Sequence, residues 1–524
     1  MTPEFNQKVA MLSFIARRLA ATLLVLLAAS FVVYQLTAIS GDPLTELRGS
    51  RDPNIQQRIA YLTDALQLDV PPVLRYFLWL GGAAGCLVGR CDLGIAISKS
   101  EMPVTEALGS AMFSTLQLIT IATILSILIG VAVGMTTALR QYSGYDYTVT
   151  FFAFVFYSLP IFWVAVLLKE YGAIRFNRFL GDPVIPIPWL ILIGLGFGLV
   201  LAAIVGGSLI RRLKVFGFGA ALAIALLVTL NLTQWLKNPA LGPVGVMLLG
   251  TLAAALALMF TTGLESRRST VVLLALPLAA GALWLPAQYI FFYLPAQLSI
   301  PAALLMMSAV GVLLAILIGA DAKKELARTA GVVGFLTGLF LVIDEALQYW
   351  GQFTALLPMR TGFISTIGAV TPSIAREENL WLNLLDSYSH LLLPTIALMI
   401  VSVAGYTRYS RASLLEVLNQ DYIRTARSKG LGERRVVVRH AFRNAMIPIT
   451  TIIAFDISGL IGGAIITERV FAWEGMGSLF NRGLAAVDVN LVMGFFLVTG
   501  LFAVLGNLVA DLLYSALDPR IRVQ

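Results

Sequence analysis

The sequence predicts an all-α protein, a polytopic bundle of transmembrane helices. Two observations carry this. Of 524 residues, 58% are hydrophobic and only 13% are charged, where a soluble domain carries about one quarter charged residues. The apolar residues also fall in runs of about 20 or more, the length that crosses a bilayer. The net charge of +8 suits loops on the positive side of a membrane, so the partner it implies is the lipid bilayer and not nucleic acid. Two cysteines and two histidines are too few for a Cys/His metal site, and no metal is expected.

The first span is Ile15 to Ala38, too long for a signal-peptide core. Arg17 and Arg18 at its start place the N-terminus inside. A polar stretch, Gly41 to Leu108, follows outside. Spans at Met112 to Leu139 and Tyr147 to Lys169 come next, around a short loop with Arg140 and Asp146. From Trp189 to Trp350 six further spans are expected. Charge-rich breaks (Arg211, Arg212, Lys214; Glu265, Arg267, Arg268; Asp321, Lys323, Lys324, Arg328) alternate with charge-poor ones, the pattern of three helical hairpins. Asp344 and Glu345 in this block are expected to face water. The last spans are Leu391 to Tyr409, Ile447 to Ile466 and Leu491 to Ala516. Twelve spans put both termini inside, together with the basic loop Arg408 to Arg443.

That loop is the most structured polar segment. Leu415, Leu418, Tyr422 and Ala426 recur at helical spacing, and Asn419 and Asp421 are good N-caps. The spacing predicts a helix ending near Leu418, a turn, and a short helix from Tyr422 to Lys429. Gly430 is the left-handed stop. A third, basic piece starts at Gly432 and Glu433, and Pro448 opens the next span.

The segment from Asp421 to Pro448 resembles the cytoplasmic coupling loop, or EAA loop, of inner-membrane permeases of ABC importers, most closely the peptide, opine and nickel uptake group. Arg424-Thr425-Ala426 is similar to that group's variant of the EAA triplet, and Gly430 stands at the motif glycine. Arg443 stands where most such loops have proline, with Pro448 later, as in the peptide subgroup. Leu68 to Gly94 resembles the group's first external loop, and Tyr157 to Trp163 its Ser-x-Pro-x-Phe-Trp stretch. Glu468 to Gly477 and Asp511 to Arg522 resemble its last external loop and C-terminus.

The resemblance covers roughly residues 1–185 and 355–524. It implies a permease core of six spans, in an N-terminal part (1–185) and a C-terminal part (355–524) containing the coupling loop 411–445. The six inserted spans (186–354) lie outside it.

The resemblance further implies a permease without catalytic residues that imports di- or oligopeptides, with nickel, opines or another small solute as the alternative cargo. An intramembrane enzyme is the reading from another class; no HExxH is present. The implied partners are a second permease, two cytoplasmic ATPase subunits (or one two-domain ATPase) and an external solute-binding protein. No cofactor is expected in this chain, since ATP and Mg belong to the ATPases. The implied location is the bacterial cytoplasmic (inner) membrane.

Asp421, Tyr422, Arg424, Thr425, Ala426 and Gly430 are expected to couple to the ATPase, Ala426 by admitting the partner closely. Phe471, Trp473, Gly475 and Gly477 are expected to form an external gate or binding-protein contact. Asp456 is a candidate for the pathway, because charges inside a membrane usually face the bundle interior. Cys86 and Cys91 lie outside, where a disulfide persists.

Overall fold

The computed structural model describes residues 3–49, 53–260, 267–318, 323–358 and 362–517. The chain is helical nearly throughout. It opens with α1 (Pro3–Ile39), α2 (Thr45–Arg48), α3 (Ile55–Ala65), α4 (Pro72–Gly85), α5 (Val104–Leu139), α6 (Gly144–Ser158), α7 (Ile161–Leu167) and α8 (Phe176–Gly181). A middle group holds α9 (Ile187–Val205), α10 (Leu209–Thr233), α11 (Gly242–Phe260), α12 (Arg267–Ala282), α13 (Trp284–Tyr293), α14 (Ala296–Ile318), α15 (Lys323–Gln348) and α16 (Trp350–Leu356). The chain continues through α17 (Leu380–Leu418), α18 (Asp421–Ser428), α19 (Glu433–Arg435), α20 (Phe442–Gly463), α21 (Ile465–Val470), α22 (Met476–Ala485) and α23 (Val489–Leu517).

Among the described residues, eight helices are long and apolar enough to cross a membrane; they lie in α1, α5, α9, α10, α14, α15, α17 and α23. Two bent pairs raise the number to ten: α6 with the helix from Ile161 to Gly181, at 101°, and α12 with α13, at 53°. The first bend falls at Leu159-Pro160. Proline pushes the residue before it out of the helical region, and Leu159 is extended, with ψ 128°. The apolar helix at Gly242–Leu258 is shorter, and α20 has 22 residues. Every one of the twelve expected spans therefore has a helix, but not every one has the length and composition of a full crossing. Glu265 and Asp321 of two charge-rich turns, and residues 518–522 of the C-terminal motif, lie outside the described residues.

The chain forms two compact units. One comprises residues 1–127, 394–399 and 447–524. Its core joins Tyr34, Tyr76, Trp79, Val104, Leu108, Met476 and Leu491. The stretch from Gly41 carries α2 to α4 and a two-residue antiparallel hairpin, Ile95–Ala96 with Met102–Pro103. The sulfurs of Cys86 and Cys91 are bonded at 1.99 Å. Asp488 stands just before α23. Its carboxylate accepts from Leu491 N at 3.1 Å, from Ser98 N at 3.1 Å and from Ser98 Oγ at 3.0 Å. An acceptor placed there serves the orphan N–H groups of the helix start.

The other unit comprises residues 128–393 and 400–446. The middle block packs as consecutive pairs, α9 with α10, α11 with α12 and α14 with α15, the three hairpins read from the charge alternation. The α14–α15 pair is built on small residues, as helix contacts in lipid are. A Cβ on Gly334 would lie 2.2 Å from Met307 O, and one on Gly311 2.2 Å from Ala330 O.

Two expectations are corrected here. Asp344 and Glu345 do not face water; they are 1% and 6% exposed. Asp344 Oδ1 accepts from Leu241 N at 2.9 Å and Gly242 N at 2.8 Å, at the start of α11. Its Oδ2 accepts from Trp284 Nε1 at 2.7 Å. Pro448 does not open a span either, since α20 begins at Phe442 and holds Pro448 inside it. In lipid such a proline is tolerated when neighbouring groups satisfy the freed carbonyl.

Asp344→Ala leaves these donors without their acceptor. At about 1–3 kcal/mol per stranded group, the variant should lose on the order of 3 kcal/mol. Size-exclusion recovery after heating in detergent should show a clearly lower midpoint, with Asp344→Asn falling between.

Candidate functional site

The polar loop belongs wholly to the second unit. Helix α17 has 39 residues, about 58 Å at 1.5 Å per residue, nearly twice the roughly 30 Å hydrocarbon core. It is therefore too long to lie wholly within such a layer. Asn419 ends it, and its Nδ2 donates back to Leu415 O at 3.0 Å.

Helix α18 follows at once. Its N-cap is Gln420, with no side-chain capping bond, so Asp421 is not the cap but the first helical residue. There its charge still favours the positive end of the helix dipole. Gly430 has φ +76°, with Gly430 N bonded to Arg427 O at 2.9 Å and Leu431 N to Ala426 O at 3.4 Å. This is the paired closure of a Schellman stop, for which glycine is the usual residue.

The inward face differs from the one the spacing suggested. Ile423 is 0% and Ala426 8% exposed, whereas Tyr422 is 40% exposed. The helix packs on a π-helical turn, Val436–Ala441, whose Val436 and Ala441 are fully buried. Ala426 is thus small to fit against its own chain; the expectation that it admits a partner is corrected. Tyr422 is turned outward, and its hydroxyl accepts from Asn444 Nδ2 at 2.7 Å.

Three polar ties hold the element. Arg427 donates to Glu433 through Nε at 3.0 Å and Nη2 at 2.6 Å. That hydrogen-bonded pair holds the Glu433 carboxyl below its ordinary value and the guanidinium above. Ser413 Oγ donates to Ala445 O at 2.7 Å. Arg411 grips the 2%-exposed Asp146 in a fork at 2.8 and 3.0 Å. In addition, Arg434 donates to Leu258 O near the end of α11. What remains free on α18 is a polar face. Asp421 and Arg424 have side chains 97% and 71% exposed, 3.6 Å apart, a pair too solvated to matter for stability. Thr425 is exposed beside them.

The last external segment lies in the first unit. Phe471 and Trp473 are 2% and 1% exposed, so neither presents a surface to a partner. Trp473 Nε1 donates to Ser114 O at 3.1 Å. Beneath them, the fully buried Glu468 accepts from Thr115 Oγ1 at 2.7 Å and Ser478 N at 2.9 Å. Burial raises its pKa above the ordinary 4.5, and the Thr115 and backbone hydrogen bonds oppose that. A Cβ on Gly475 would strike the Glu468 carboxylate at 2.3 Å, and one on Gly477 the Ile465 side chain at 2.5 Å. These glycines exist to let the segment close over Glu468. A cleft of about 520 Å³ opens above, bordered by the exposed Arg469, Glu474 and Arg482. The motif contained Glu468, but nothing in the sequence marked it as buried. Asp456 stands on α20 with an exposed side chain.

The fold is a multi-pass helical bundle with several helices long and apolar enough to cross a membrane, and α18 presents an exposed polar face. Residues 330–523 match the family described as binding-protein-dependent transport system inner membrane component. It is 42% identical over 156 residues to the oligopeptide transport system permease protein OppB of Mycobacterium bovis, covering 30% of this chain and 47% of that one. It is 41% identical over 166 residues to the oligopeptide permease protein AppB of Bacillus subtilis, covering 32% and 51%. It is 44% identical over 140 residues to the dipeptide permease protein DppB of Escherichia coli K12, covering 27% and 41%. The chain spans about half the length of these relatives.

Because the folded pKa of Glu468 is raised, the folded state binds its proton more tightly than the unfolded chain does. Stability from this group is therefore present at low pH and lost as pH rises from about 4.5 through the folded value. Glu468→Gln removes that dependence, so the wild type should gain thermal stability on the variant as pH falls from 7.5 to 5. A pH-independent difference between the two melting midpoints would contradict this.

Proposed function

We propose that this chain is the permease subunit of an ATP-driven ABC importer of di- or oligopeptides. The observation that carries the reading is α18: a short helix anchored by Ile423 and Ala426, stopped at Gly430, with Asp421, Arg424 and Thr425 free for a partner. The likeness to oligopeptide and dipeptide permeases supports peptides over the other solutes of the group.

In this reading two cytoplasmic ATPase subunits, or one two-domain ATPase, seat α18. They alone bind ATP and Mg, and this chain carries no catalytic residue. A second permease completes the pathway, and an external solute-binding protein delivers the peptide. The chain sits in the bacterial cytoplasmic membrane with α18 and both termini inside. Closure of the ATPases displaces α18. The Arg427–Glu433 fork, the Ser413–Ala445 bond and the Arg411–Asp146 fork pass that displacement into α17, α20 and α6. An ATPase thereby biases a two-state element it does not otherwise touch. Outside, Arg469, Glu474 and Arg482 take the landing role first given to Phe471 and Trp473, which instead form the packed base of that surface with Gly475 and Gly477. Asp456 is assigned to the pathway, where a peptide's ammonium group is its natural partner.

Gly430→Pro forces φ near −65° where +76° is needed, and Arg424→Glu reverses a charge on the free face. In the reconstituted complex both should cut peptide-stimulated ATP hydrolysis and peptide uptake at least several-fold while the chain remains in the membrane. Wild-type stimulation in both variants would remove α18 from the coupling role.

A further inference from the structure

The middle block carries an open groove that the transport reading does not use. It has a volume of about 530 Å³ and runs between α11 and α15. Its walls are apolar: Leu252 and Leu256 on α11, and Val332, Leu336 and Phe340 on α15. One end is different. There Arg328 lines the groove beside Thr329. Arg328 is exposed and has no acidic partner among the described residues. Arg267 and Arg268, the exposed first residues of α12, and Lys324 in the first turn of α15 belong to the same charge-rich ends. Arg434 of the polar loop reaches Leu258 O there.

Length and charge point to the occupant. The groove extends from Leu249 to Ala257 along α11, about 12 Å at 1.5 Å per residue. That is close to the roughly 15 Å depth of one leaflet, half the hydrocarbon core. One hydrocarbon chain needs no polar partner along the walls, and its headgroup would meet Arg328. Basic pockets between transmembrane helices on the inner side are suited to anionic headgroups.

We propose that the α11–α15 groove is a binding site for an anionic phospholipid of the surrounding membrane, with an acyl chain along Leu252, Leu256, Leu336 and Phe340 and its phosphate on Arg328. The inserted helices thereby give the permease a lipid-dependent element beside its polar loop.

The full chain, in nanodiscs, should be photolabelled with phosphatidylglycerol carrying an acyl-chain diazirine, and separately with the matching phosphatidylcholine. Label from phosphatidylglycerol should exceed that from phosphatidylcholine in peptides covering 249–257 and 328–340. Arg328→Gln, an exposed change that leaves packing untouched, should lower that preference about five-fold, the effect of one cation near an anionic headgroup. Leu256→Trp should block labelling by both lipids. Equal labelling by the two lipids in the wild type would reduce the groove to ordinary bilayer contact. A preference unmoved by Arg328→Gln would also overturn the proposal. So would an unlabelled wild type whose Leu256→Trp variant loses a co-purifying membrane protein, since the groove would then belong to a helix.

Discussion

Hydrocarbon offers no hydrogen bonds, so every polar group near an apolar layer must find its partner within the chain. The irregular joints of this protein meet that constraint with buried carboxylates. Asp344 holds the start of α11 and the indole of Trp284. Asp488 holds the start of α23 and Ser98. Glu468 gathers Thr115 and Ser478. Asp146 takes Tyr142 N and the guanidinium of Arg411. Asp386 accepts from Thr371 N at 2.8 Å, while His390 on the same helix lies 3.1 Å from Thr371 and 2.8 Å from Gly368 O. Each carboxylate converts a break between helices into a fixed joint, and the apolar helices between them then need only pack.

The division between what was legible in the sequence and what was not follows from this. Helices announce themselves by apolar length, and their connections by charge, so the helix inventory and the three hairpins of the middle block were readable. So were the C-terminal ends of α17 and α18, because Asn419 and a left-handed glycine act over a few positions. The inward face of α18 was not. With eight residues, the helix offers barely two turns of periodicity, and Tyr422, half apolar, competes with Ile423 for the same role. The carboxylate joints were hidden for another reason. Asp146 and Arg411 are 265 residues apart, and Thr115 and Glu468 353 apart, and no local pattern encodes such pairings.

Burial also separates two kinds of aromatic and glycine positions that sequence alone merges. Trp473, Phe471, Gly475 and Gly477 read as a gate or contact surface because the segment mixes aromatics with glycines. In the folded segment they enclose an acid. The residues left exposed there are the plain charges Arg469, Glu474 and Arg482, which carry no motif signal.

The middle block and the polar loop are joined by a short covalent step. Arg427 on α18 is forked to Glu433, and the next residue, Arg434, donates to Leu258 O on α11. In the proposed coupling, a displacement of α18 has two exits. One runs through Ser413 and Arg411 into the long α17 and the Asp146 joint. The other runs through Glu433 and Arg434 into the end of α11, beside the groove that Arg328 closes. Fork-shaped guanidinium contacts suit such a relay because they resist rotation as well as separation. Under the proposed coupling the middle helices are mechanically continuous with α18, and a lipid bound as proposed between α11 and α15 would raise the resistance that α18 meets.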